Sequence, residues 1–144
     1  MNAADISVIL LEDQKEWEAL SAVLDARLKG VVHGIGSTSW NARDVYAHVA
    51  RWLEYSNSNL ENALTGKPLS NIQESQFDEI NGRWQQEDSK LSLVEAQIIA
   101  YQEFQRRAKI IKSIPLEKWN EEMVKIVYSD GASHYRLHRS YITD

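Results

Sequence analysis

The sequence predicts an all-α protein: a bundle of three long helices and a shorter fourth, with irregular connections and a short extra helix. Three observations lead there. Apolar residues recur at spacings of three, four and seven over long windows, the period of an amphipathic helix. Two windows open on capping boxes, Asn41 with Asp44 and Ser92 with Glu95. Their ends coincide with Gly66-Lys67-Pro68 and with Pro115, residues that stop helices.

The first helix is expected from about Ile6 to Leu28. Ile6, Leu10, Trp17, Leu20, Leu24 and Leu28 form its buried stripe, and Lys29-Gly30 its stop. Asp13 interrupts that stripe, which reads as a helix end emerging to solvent. A loop with Gly30, Gly34, Gly36 and a Ser-Thr-Ser run follows, and His33 within it reads as a solvated loop histidine.

The second helix starts at the Asn41 cap, with Trp40 and Val45 placed to form a hydrophobic staple, and continues to about Leu64. Its inner stripe is Val45, Val49, Trp52, Ser56, Leu60 and Ala63. His48 lies about 60° from the centre of that stripe at ~100° per residue. The position suits either a boundary residue with one hydrogen bond or a ligand facing a neighbouring helix.

Leu69 to Ser89 is less regular, with Phe77, Ile80 and Trp84 suggesting a short helix; Asp78 and Arg83 either face solvent or lean over a cleft. The third long helix is expected from Leu93 to Lys112, with Leu93, Gln97, Ala100, Tyr101, Phe104, Ala108 and Ile111 inside. Ile99 and Ile110 then fall on its back, to be covered by the Leu69 to Ser89 segment or by a second copy in a homodimer. Met123 to Tyr128 is rich in β-favouring residues and reads as a short extended stretch or a connection laid across the bundle end.

The last helix, from near Asp130 almost to Asp144, carries His134 and His138. Four residues apart, they project from one face together with Leu137 and Tyr141. Imidazoles in an apolar stripe are costly unless their nitrogens are satisfied, by neighbouring groups or by a divalent metal.

Composition narrows the function. The 144 residues suffice for one domain, spanning 1–144, with a sizeable core. The net charge of -5, with no basic stripe, argues against nucleic-acid binding. No apolar run approaches a membrane span, and the first residues carry no basic region before their apolar ones, so a soluble cytoplasmic protein is expected. With no cysteine, thiolate metal sites and a cysteine nucleophile of the chain's own are excluded.

The run Trp40-Asn41-Ala42-Arg43-Asp44-Val45-Tyr46-Ala47-His48-Val49 resembles the start of the second helix in DinB-like proteins. That family includes YfiT-type hydrolases and the N-terminal domain of mycothiol-dependent maleylpyruvate isomerase. His134-Tyr135-Arg136-Leu137-His138-Arg139 resembles its last-helix motif, and Ser92 to Trp119 looks like its third helix and following turn. The resemblance implies an up-down-down-up four-helix bundle. It also implies a divalent metal, zinc or nickel, held by His48, His134 and His138, with an open coordination position. Thiol-dependent transfer to a small-molecule substrate is implied too, with a low-molecular-weight thiol such as bacillithiol, mycothiol or glutathione as co-substrate. A metal at three histidines also suits hydrolysis. The alternative of another class is a non-enzymatic helical binding module whose histidines are structural or hold a structural metal. A general-base carboxylate near the site would separate the two, and Asp13 and Glu54 are the candidates.

Overall fold

The computed structural model describes residues 1–35 and 38–142. These form six α-helices: α1 (Ala3–Asp25), α2 (Ala42–Leu64), α3 (Phe77–Asp88), α4 (Leu93–Ser113), α5 (Glu121–Ser129) and α6 (Ala132–Tyr141). A hairpin of two three-residue strands, β1 (His33–Ile35) and β2 (Thr38–Trp40), joins α1 to α2, with His33 opposite Trp40. The expected solvated state of His33 concerns a side chain outside the described residues. The protein is all-α, and no helix among the described residues is long and apolar enough to cross a membrane.

Capping chemistry sets the helix starts. Asn41 accepts a hydrogen bond from the Asp44 N–H while the Asp44 carboxylate accepts one from the Asn41 N–H, and Ser92 and Glu95 make the same reciprocal pair. An equivalent box at Asn2 and Asp5 starts α1 three residues earlier than periodicity suggests. At the other end α1 stops at Asp25, so Leu28 lies beyond the helix and is exposed.

The helices pack α2 against α4 and α1 against α6, with smaller contacts of α1 to α4 and α2 to α6. Trp17 on α1 sits where these faces meet. It stacks on Phe104 of α4, with ring centroids 4.8 Å apart, and meets Tyr135 of α6 and Tyr46 of α2 edge to face. A second cluster of Ile9, Leu60, Ile110, Ile111, Ile114, Met123 and Val127 joins α1, α2, α4 and α5. Segment 121–129 is therefore helical, not extended. Its β-branched residues lie on an amphipathic turn that Asn120 caps, and burying Met123 and Val127 outweighs local β propensity.

Two further expectations are corrected. Ile110 is buried in the second cluster while Ile99 is exposed, so they do not share an open back face. The helix of the Leu69 to Ser89 segment, α3, packs on α2, where Trp52 meets Phe77 and Trp84 edge to face.

Asp13 does not emerge to solvent. It is buried, and its carboxylate accepts a hydrogen bond from the Arg107 guanidinium at 2.7 Å and another from the Ala132 N–H at 3.0 Å. Arg107, also buried, donates to the Val127 carbonyl at 2.8 Å. One ion pair thus joins α1 and α4 to the end of α5 and the start of α6. Gly131, at φ 92, lies so close to the guanidinium that a Cβ there would fall 2.4 Å from an Arg107 nitrogen. Nearby, Glu16 on α1 binds Arg139 of α6 at 2.7 Å and lies 3.5 Å from Arg136. Burial works against its charged form, yet hydrogen bonding and attraction from Arg139, then Arg136, hold its pKa below the usual carboxylate value.

Gly131→Ala meets both a disfavoured φ and a guanidinium fixed at two ends. Urea unfolding should show a loss of about 2 kcal/mol or more. A loss within about 0.5 kcal/mol would mean the turn and Arg107 are not so tightly packed.

Candidate metal centre

His48 stands on α2 and His134 and His138 on consecutive turns of α6, and the three rings converge. Their ring centroids lie 5.2, 4.6 and 4.6 Å apart. One nitrogen from each can be chosen so that all three lie within 4.8 Å of one another. His48 and His138 are buried, and the His134 side chain is 12% exposed. Trp40, at the end of β2, backs the group: its indole is edge-on to His48 at 4.7 Å and nearly parallel to His138. Its burial as the residue before the Asn41 cap thus also walls in the histidines.

The Nε2 atoms of His134 and His138 are 2.9 Å apart. Two ligands of one tetrahedral zinc stand about 3.4 Å apart when each bond is about 2.1 Å. A small opening of the pair therefore fits both to one ion. The donor set is three neutral nitrogens, the type that zinc and nickel accept.

The carboxylate at the site is Asp130, not either acid singled out from the sequence. Asp13 is committed to Arg107 and Ala132, and Glu54 is exposed and does not line the cavity at the histidines. Asp130 accepts a hydrogen bond from the Ser56 hydroxyl of α2, and its other oxygen lies 3.6 Å from His134 Nδ1. That nitrogen is buried with no hydrogen-bond partner, and the Asp130 carboxylate beside it would favour a proton on Nδ1. A proton on Nδ1 leaves the Nε2 lone pair facing the other histidines, the arrangement second-shell carboxylates impose on metal-ligating histidines. The Asp130-to-His134 spacing of four residues was the sequence signal for this contact; nothing local marks Ser56.

Burial lowers the pKa of His134, and the Asp130 charge opposes that only in part. The neutral ring is therefore favoured on folding. Stability from it is present above about pH 6.5 and is lost as the pH falls through the lowered folded value.

The histidines line a cavity of about 890 Å³. Its walls come from α2 (Trp52, Tyr55, Asn59), α3 (Phe77, Asn81), α5 (Ile126) and α6 (Leu137, Tyr141), and from the segment before α3. Asp78 also lines it, whereas Arg83 faces solvent.

These features define a class: an all-α protein with a three-histidine cluster in the wall of a molecule-sized cavity. No protein-family model matches the sequence, and no curated protein does. The fold is similar to that of an uncharacterised protein of Escherichia coli UTI89 known from its crystal structure. The match has a TM-score of 0.76, covers 94% of this chain and 89% of that one, and has 14% sequence identity. At that identity the likeness speaks for the fold alone.

Nitrogen-15 NMR of the metal-free protein should find His134 protonated at Nδ1 when neutral, with a protonation midpoint below 6.5. In Asp130→Ala the proton should move to Nε2, and Asp130→Asn, which keeps an acceptor oxygen, should retain the original tautomer. The same tautomer in all three proteins would deny Asp130 its orienting role.

Proposed function

We propose that this chain is a divalent-metal-dependent protein of the DinB-like kind that acts on a small molecule, with His48, His134 and His138 as the metal ligands. The observation that carries this reading is the convergence of three imidazoles from α2 and α6 on one buried point beside a cavity. Three structural histidines need not open onto such a space. The helix pairs in contact suit an up-down-down-up bundle of α1, α2, α4 and α6.

A zinc or nickel ion there would polarise an oxygen or sulfur donor of a bound molecule and favour its deprotonated form. The remaining roles fall to the chain's own groups. Asp130 holds His134 in the tautomer that presents Nε2, Ser56 holds Asp130, and Trp40 keeps the rear of the rings dry. With no cysteine in the chain, a sulfur nucleophile must arrive from outside as a low-molecular-weight thiol. Thiol transfer is the reaction we favour, from the family resemblance, with hydrolysis by the same site as its rival. A homodimer remains part of the proposal, without the Ile99 and Ile110 face as its seat.

A second reading, a binding module without catalysis, draws on the 2.9 Å Nε2 to Nε2 separation of His134 and His138, which also suits a direct hydrogen bond between the rings. Metal binding separates a metal-free module from the first reading. Protein purified without a histidine tag and loaded with zinc should melt about 5 °C or more above the chelator-treated protein, since a ligand of the folded state alone stabilises it. The His134→Ala, His138→Ala double variant should show no such difference. Identical melting of wild type with zinc and with chelator would remove the metal centre and leave the module.

A further inference from the structure

The cavity has two kinds of wall. Much of its polar lining is engaged within the protein. The Tyr55 hydroxyl donates to the Ser70 carbonyl at 2.8 Å and accepts from the Ile72 N–H at 2.9 Å. The Asn59 amide donates to the same carbonyl at 3.0 Å, and its oxygen accepts from the Ser70 N–H at 2.9 Å. Asn81 accepts from the Trp52 indole N–H at 2.9 Å, and Ser56 donates to Asp130. The bonds of Tyr55, Asn59 and Asn81 fasten α3 and the segment before it to α2, and that of Ser56 ties α2 to the turn before α6, so these groups hold the wall together.

The apolar lining is open. Leu137 is 47% exposed, Tyr141 45% and Phe77 37%, all large side chains facing the cavity. Leu137 and Tyr141 belong to the same stripe of α6 as the histidines, spaced three and seven residues from His134. One helical face therefore offers two imidazoles and, flanking them, Leu137 and Tyr141, each about half-exposed where they line the cavity. Asp78, Glu122 and Lys125 also line the cavity and are solvent-exposed, and their mixed signs create no field of one sign to draw in a highly charged ligand.

We propose that the cavity takes a small molecule built of a Lewis-basic head group, which reaches the histidine cluster, and an apolar, ring-sized body, which lies against Phe77, Leu137 and Tyr141. The inference rests on the metal reading above and adds the class of ligand. Its volume suits such a molecule, since small-molecule sites span about 300–1,000 Å³. A sugar-like ligand would find the Tyr55, Ser56 and Asn59 side chains of the α2 wall already bonded within the protein.

Two metal-binding probes with the same head test this. Zinc-loaded protein is titrated calorimetrically with acetohydroxamate and with benzohydroxamate. The phenyl compound should bind about tenfold or more tightly, from removal of its apolar ring from water. Leu137→Asp should bring the two affinities together. Phe77→Asn, on a different helix, should reduce the gain as well and guards against a folding defect in the first variant. Equal affinities in the wild type, or a gain untouched by both substitutions, would overturn the ligand class while leaving the metal centre standing. Failure of both probes to bind would show that the loaded ion has no open position, and the ligand class would fall while the metal ligands stand.

Discussion

The buried pair of Asp13 and Arg107 is the constraint on which the site depends. Taking both charges out of water costs several kcal/mol per ion before their attraction is counted. The cost is offset because each ion is also hydrogen-bonded to the backbone: Asp13 accepts from Ala132, and Arg107 donates to Val127. Those two backbone groups flank the turn from α5 to α6. The pair therefore fixes the direction in which α6 leaves the turn, and Gly131, lacking a Cβ, lets the guanidinium sit against it. Apolar packing alone would bind α6 to α1 without specifying its rotation so tightly. Glu16, with Arg139 and Arg136, acts in the same sense further along the helix.

That rotation decides the chemistry. One face of α6 sends Tyr135 into the core against Trp17, and the adjoining face sends His134 and His138 toward His48. Asp130 lies in the same fixed turn, so the carboxylate that orients His134 is set by the ion pair as much as by its own bond to Ser56. Structural and chemical roles are thus divided between two acids. Asp13 places the helix, and Asp130 sets a negative charge beside a ring on it. The cavity follows from the opposite side, where α3 and segment 69–72 are fastened to α2 at a distance that leaves Leu137 and Tyr141 of α6 about half-exposed.

Much of this was legible in the chain. The capping boxes at Asn41 and Ser92 and the run of apolar spacings locate α2 and α4 closely, because those signals are local. The histidine pair four apart on one helix and His48 on another also converge as expected. What was not legible depended on partners distant in sequence. Asp13 reads as a break in an apolar stripe because its partner Arg107 lies 94 residues away. Arg107 likewise gives no local hint of burial. Met123 to Tyr128 is rich in β-favouring residues, and burial of Met123 and Val127 in the second cluster makes the segment a helix. Ile110 falls outside the apolar stripe by periodicity, yet the second cluster, to which α5 contributes Met123 and Val127, buries it. Asp130 lay in plain sight four residues before His134, yet its part in the site becomes visible only with Ser56 beside it.

The central claim is that three imidazoles, held by this frame, share one metal ion. X-ray absorption at the zinc edge of the loaded protein tests it most directly, because imidazole rings scatter with a recognisable pattern. The account predicts three imidazole nitrogens at about 2.0–2.1 Å, with the remaining coordination from a lighter, exchangeable donor. A spectrum fitted by one imidazole or none, with oxygen donors making up the shell, would contradict it.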